Sequence, residues 1–429
     1  MRPDAALELW RASGLKQKLL FTLFVIFLFR LGVHLPLGGL NLSRVESLFQ
    51  SGGLMNFIDL FSGGALAKFS IFAMGIIPYI NASIIMQLMS SVIPKLEELR
   101  KEGGEAGRRQ IAQWTRYLTI VLGTIQSGGM AVWLWRSDAA LGYPATGGVP
   151  FLFLVGTTLT LVAGCMFIMW MGELITEHGI GNGASLLIFV GIVARLPNYW
   201  SNTQQLVSEG AVSAFSVILL LLIFFAILIA IIYASEGARK IPVQSAKRQV
   251  GRRVYGGKSS YIPFRINQGG VMPIIFASSV LLFPATINQF AKNEYIRMVT
   301  DALAPSKPLY ALAYFGLIVF FSFFYASLVL NPIDLANNLK RYGSFIPGYR
   351  PGRHTAEFIE KVLTRITAIG AIFLGVIAIV PMIAERMTGV TTLQGLGSTA
   401  LLIMVGVAID LYNQLQAQLL ARQYEGFMK

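Results

Sequence analysis

The chain has 429 residues, 55% of them hydrophobic and 13% charged, with a mean hydropathy of +0.62 and a formal net charge of +14. That balance excludes an ordinary soluble domain and fits a protein that crosses a bilayer several times. The single cysteine, Cys165, excludes an internal disulfide, and His34, His178 and His354 are too scattered for a metal site, so neither metal nor cofactor is expected.

A helix needs roughly 20 apolar residues to cross a hydrocarbon core about 30 Å thick. Ten stretches qualify, near residues 19–37, 70–93, 115–135, 151–171, 184–200, 213–234, 271–290, 309–330, 363–384 and 396–415. The first, "LLFTLFVIFLFRLGVHLPL", lacks a small-residue cleavage site and reads as a retained helix, with Arg30 snorkelling near its end.

Before the second span, "LMNFIDLFSGGALAKF" reads as an amphipathic helix of about 14 residues, roughly 21 Å long and too short to cross. It is expected to re-enter the protein. Gly63 and Gly64 then imply non-helical backbone at membrane depth, which requires surrounding protein or a water-filled cavity. A plain interfacial helix is the alternative. Within the span, Ile76 and Ile80 share a face, and Pro78 is expected to bend the helix between them. Asn81 and Gln87 need partners there, as a movable boundary or as interhelical glue. The seventh span repeats this grammar in "RINQGGVMPIIFASSVLLFPATI", with Asn267 and Gln268, a bend at Pro273, and the small run Ala277, Ser278 and Ser279.

Three connections, 94–114, 235–270 and 331–362, are longer than a helix link requires. With the N-terminus inside, the inner segments hold 26 of the 35 basic residues and the outer loops 8, while Arg30 sits within a span, so both termini are expected in the cytoplasm. The middle connection carries 8 basic residues against Glu236, among Tyr255, Tyr261 and Phe264. This reads either as orientation by charge or as a docking surface for a polyanion.

The ten spans divide after the fifth, giving halves 1–205 and 206–429 whose opposite insertion implies an inverted repeat. The expected fold is all-α. Spans nearly free of ionisable groups argue against an ion-coupled transporter, and Arg30 and Asp410 lie toward span ends. A carrier of neutral solutes and a non-conducting scaffold that recruits ribosomes stay open. No "GxxxxGK[ST]" loop occurs, so the chain is not expected to be an enzyme and its energy must come from a partner.

Four stretches carry a resemblance: "FSGGALAKFSIFAMGIIPYINASIIMQL", "GELITEHGIGNGASLLIF", "GGVMPIIFASSVLLFP" and "NPIDLANNLKRYGSFIPGYRPGRHT". In this order, and over essentially the whole chain, they resemble the SecY family of bacterial protein-translocation channels. The resemblance implies an hourglass pore in the cell inner membrane, closed by an apolar ring of Ile76, Ile80, Ile188, Ile192, Ile275 and Ile403. Such a ring dewets and blocks ions, yet moulds around a passing chain.

The short helix 54–67, with Leu54, Phe57, Leu60, Phe61, Gly63 and Gly64, would be the plug. Asn81, Gln87, Gln126, Asn267 and Phe283 would line a lateral gate whose amide contacts hold it shut until a signal sequence replaces them. Arg239, Lys247, Arg248, Arg252, Arg253, Lys340, Arg341, Arg350 and Arg353 would face the SecA ATPase motor and ribosomal RNA. Small SecE and SecG subunits, nascent polypeptides and the lipid bilayer complete the implied partners. Ala184, where isoleucine is more usual, and Gly269, where alanine is, depart from the family pattern.

Overall fold

The computed structural model describes residues 13–41, 43–45, 59, 62–101, 103–141, 150–245, 248–250, 253–255, 259–288, 307–388 and 398–427. Apolar helices occupy all ten expected regions. They begin with α1 (Ser13–Val33), α2 (Ile77–Val92) and the short α3 (Pro94–Lys101), followed by α4 (Gly104–Arg136), α5 (Phe151–His178) and α6 (Gly183–Val193). After α7 (Leu196–Ser208) and α8 (Ala214–Glu236) come α9 (Met272–Asn288), α10 (Pro308–Val329), α11 (Pro332–Arg341), α12 (Arg353–Thr388) and α13 (Ser398–Phe427).

Among the described residues, seven helical segments are long and apolar enough to cross a membrane, with α6 and α7, and α10 and α11, each counted together. The pair α2 and α3, bent by 99°, makes an eighth. The α1 helix is 21 residues long but carries Lys16, Lys18 and Arg30, and α9 is shorter.

Lipid-facing character is visible on the surface. Phe24, Phe27, Leu152, Phe215, Leu222 and Phe225 are each more than half exposed, as expected where acyl chains replace water as solvent. Inside, small residues allow close approach. A Cβ built on Gly183 would stand 1.9 Å from the Gly172 carbonyl oxygen, so α6 approaches α5 this closely only because position 183 is glycine.

Two proline expectations are corrected. Pro78 does not bend the second span; it lies in the first turn of α2, where its missing N–H costs nothing, and residues 71–76 form turns. Pro273 likewise sits in the first turn of α9 rather than at a mid-helix kink. Ile76 caps α2 and its carbonyl accepts the Ile80 N–H at 3.1 Å, so the two isoleucines still stack on one face.

The larger departure lies in the connections. The stretch expected as a basic loop contains β1 (Ala238–Ser245), β2 (Arg248–Val250), β3 (Arg253–Tyr255) and β4 (Ser259–Arg265). β1 pairs antiparallel with β4 from Ala238↔Arg265 to Gln244↔Ser259, and its end pairs with β5 (Ser344–Phe345) through Gln244↔Phe345. The two long connections are therefore one module. Its core is separate from that of the bundle: Ile241, Val243, Phe264 and Ile346 pack on Ile359, Val362, Leu363 and Ile366 of α12.

Candidate functional site

The six isoleucines singled out in the sequence all lie in the apolar core of the bundle. Ile76, Ile80, Ile188, Ile192, Ile275 and Ile403 are all buried, none more than 6% exposed, and belong to one continuous apolar cluster. They come from four helices, α2, α6, α9 and α13, of which α2 packs on α9, α9 on α13 and α13 on α6, while α5 closes the circuit between α6 and α2. Apolar side chains from four helices need no polar partner, and the isoleucines offer water no hydrogen bond.

On one side of this cluster lies a cavity of mixed lining, with Leu186, Val271, Met272 and Val407 beside a set of polar groups. Asn182 and Ser185 at the start of α6 line it, with Arg265, Asn267 and Gln268 before α9, and Asp410 and Gln414 on α13. Its walls have a local logic. The Asn182 side chain caps α6 by accepting the Ser185 N–H at 3.2 Å, and Asn267 donates to the Gly270 carbonyl at 2.9 Å. Gln268 Nε2 is buried without a hydrogen-bond partner. The cavity lies at the module's end of the bundle, because Arg265 closes β4.

On the other side stands the re-entrant segment, reached from the far end of α6. Residues 63–69 form turns, with Gly63 and Gly64 at φ +68° and +91°, so the C-terminal end of the expected helix 54–67 is not helical; Asp59 and Ser62 are helical, and 54–58 and 60–61 lie outside the described residues. A Cβ at Gly63 would lie 2.8 Å from Gly191 Cα, so this backbone rests directly on α6. Leu54, Phe57, Leu60 and Phe61 fall outside the described residues.

Sequence reasoning missed the charges that hold this segment. Asp59 is fully buried and pairs with Arg195, just past α6. Its Oδ1 also accepts from Ser62 Oγ, Leu66 N and Ala67 N, each at 2.9 Å. Arg30, expected to snorkel toward the surface, instead reaches inward and donates to the Gly63 carbonyl at 3.0 Å. The available signal was a pair of opposite charges, each interrupting an apolar run, in "FIDLF" and "IVARLP".

The seam residues behave differently from the expectation of amide contacts across a gate. Gln87 donates to Ser83 Oγ at 3.1 Å, one turn back on the same helix, and Asn267 is occupied by Gly270, so both amides are satisfied locally. Asn81 and Gln126 are half-buried, and Phe283 lies on α9. At this seam α2 packs on α9.

The basic residues gather on the module. Arg239 and Lys240 are exposed on β1, with the Lys240 ammonium 4.9 Å from the Tyr261 ring centroid. Arg248 and Arg253 lie on β2 and β3, whereas Lys247 and Arg252 lie outside the described residues. Lys340 and Arg341 end α11, favourable to its dipole. Arg350 is exposed on the turn after β5, and Arg353 pairs with Glu357 at 3.0 Å.

Comparisons with known proteins agree with this geometry. The SecY family model matches residues 70–412. The protein translocase subunit SecY of Synechococcus elongatus is 49% identical, covering 99% of this chain and 97% of that one. That of Aquifex aeolicus is 40% identical over 98% of each. Among solved structures, a protein-conducting channel aligns at TM-score 0.65 and 18% identity, covering 94% of this chain and 92% of that one. Sec61 in the canine ribosome-channel complex aligns at TM-score 0.63 and 17% identity over the same shares. A family model matching most of the chain, identity of 40–49% sustained end to end, and a fold shared with those channels lead to one assignment: the chain belongs to the SecY family.

Proposed function

We propose that the chain is the channel subunit of a protein translocase. It passes unfolded polypeptides through the isoleucine waist and releases apolar segments sideways between α2 and α9. Work is supplied by a partner motor or the ribosome docked on the basic module. The positive-inside bias supports ten crossings of a bacterial inner membrane with module and termini in the cytoplasm, and small partner subunits fit the family.

One observation carries this reading, namely the order of features along α6. Over 11 residues, about 16 Å at 1.5 Å per residue, the helix runs from the cavity's polar groups Asn182 and Ser185 to the waist at Ile188 and Ile192. It ends beside the re-entrant segment at Gly191 and Arg195. Vestibule, constriction and stopper in sequence are the parts of a gated pore. A solute carrier would place its polar binding groups where these isoleucines stand.

The test is a photo-crosslinking residue at Ile188, with Leu221 as control, in reconstituted protein offered a stalled secretory chain. Leu221 is 43% exposed on α8 and faces away from the cluster. Crosslinks to the polypeptide are expected from Ile188 and not from Leu221. A bound chain that reaches neither position would return the solute-carrier and scaffold readings to the front.

A second expectation concerns the module. Arg350→Glu places a negative charge on an exposed turn proposed to meet carboxylates or phosphates. Motor-driven export should fall, roughly tenfold for each 1.4 kcal/mol of docking lost. Insertion of the channel itself into membranes should be unchanged, and equal loss of both would indicate misfolding instead.

A further inference from the structure

We propose that Asp59, Arg195 and Arg30 are positioning residues that latch the re-entrant segment onto the waist, the Asp59–Arg195 ion pair setting the threshold for opening. This rests on the channel reading above and adds to it the groups that decide when the stopper leaves.

The geometry separates two jobs within one carboxylate. Oδ1 of Asp59 organises its own segment, accepting from Ser62 Oγ, Leu66 N and Ala67 N, so residues 62–67 are folded around it. Oδ2 accepts, among the described residues, from the guanidinium of Arg195, 136 residues away in sequence. Arg195 is fixed in turn by its position at the end of α6 and by the Tyr199 ring, 5.4 Å from its Cζ. A second cation, Arg30 of α1, holds the Gly63 carbonyl. The segment is thus folded by one oxygen and tethered by the other.

The burial pattern makes this a latch rather than incidental pairing. Asp59 is fully buried and the Arg195 side chain 16% exposed, so the attraction is little screened, and separating the charges strands an anion away from water. Breaking such a pair by removing one partner is far costlier than replacing both. The segment therefore leaves as a unit, when something supplies that separation energy or a substitute partner for either charge. Meanwhile Ala65, Leu66 and Phe69, all 0% exposed, keep the seal dry.

Asp59→Asn is the clean test, because a carboxamide oxygen can still accept the Oδ1 hydrogen bonds while its NH2 turns a donor toward the Arg195 donors. Full-length chains would be reconstituted with their partner subunits as Asp59→Asn, Arg195→Gln and the double variant, and idle ion conductance measured. An Ala65→Cys reporter in each background is read by an impermeant maleimide, and Cys165, buried at 1% exposure, adds little background.

Each single variant is expected to raise both leak and labelling rate about tenfold, with the double no worse than the larger single, as for two groups acting through one contact. Wild-type leak and labelling in either single variant, or multiplication of the two effects in the double, overturns the latch. If Asp59→Asn fails to assemble, Arg195→Gln, altered at a partly exposed site, carries the same test. Ile188→Ser/Ile192→Ser channels run in parallel separate the two ideas. Leak from the waist variant with silence from the latch variants rejects the latch alone, whereas silence from all of them also rejects the waist.

Discussion

Replacing Ile188 and Ile192 together by serine is expected to raise the idle ion conductance at least tenfold while polypeptide transport persists. The two side chains are 1% and 0% exposed and lie one helical turn apart on α6, so both point into the same apolar cluster. Hydroxyls there give water hydrogen-bonding sites inside a constriction that otherwise dewets, and a tenfold leak needs only about 1.4 kcal/mol off the barrier. The helix itself should survive. Buried serine on a span can donate to the carbonyl four residues back, as Ser322 does to Ile318 at 2.7 Å. Packing is lost, and each large-to-small change in a core costs about 2–5 kcal/mol, so a monodisperse assembled complex is the necessary control. Conductance indistinguishable from the parent in planar bilayers would remove the waist from the proposed pore.

Why the waist was legible while the latch was not follows from how each is encoded. Ile76 and Ile80, or Ile188 and Ile192, are four apart, and that spacing alone puts each pair on one helix face. Their convergence from separate helices was reachable only through the resemblance to known channels, because any one isoleucine is equally good core. The Asp59–Arg195 pair leaves only a weak local trace, one charge interrupting each apolar run. Nothing in either run names the other until the fold brings positions 136 apart into contact.

The sheet was hidden for another reason. β1 and β4 contain Pro242 and Pro263, and proline argues against a strand with neighbours on both sides. Here the sheet has only three strands, and β5 reaches β1 only at Gln244 and Ser245, so Pro242 borders no strand on that side. The alternation that survives is short, Ile241 and Val243 inward with Lys240, Pro242 and Gln244 outward. The misplaced kinks share one cause. A proline inside an apolar run marks either a bend or a beginning, and for Pro78 and Pro273 the turns formed by residues 71–76 and 270–271 decide for a beginning.

The module gives the second large expectation. Phe264→Ala should cost about 3–5 kcal/mol locally, since the ring is 1% exposed at the centre of the module core. Among the described residues that core rests on α12, flanked by Leu330, Leu335 and Leu339 at the α10–α11 junction, and the isoleucine cluster shares none of its buried residues. Local unfolding is therefore expected to stop there. Connection 235–270 should become protease-sensitive and motor or ribosome binding should collapse, while idle conductance and the Ile188 crosslink to an already inserted chain stay at parental levels. Arg350→Glu provides the contrast, weakening docking without exposing the connection to protease. If Phe264→Ala also opens the idle pore, the module braces the bundle through α12, and docking on it could act directly on the waist. If neither variant affects docking, the basic residues serve orientation alone, and the partner surface must be sought on α3 and the groove it forms with the α10–α11 junction at Asn331 and Asp334.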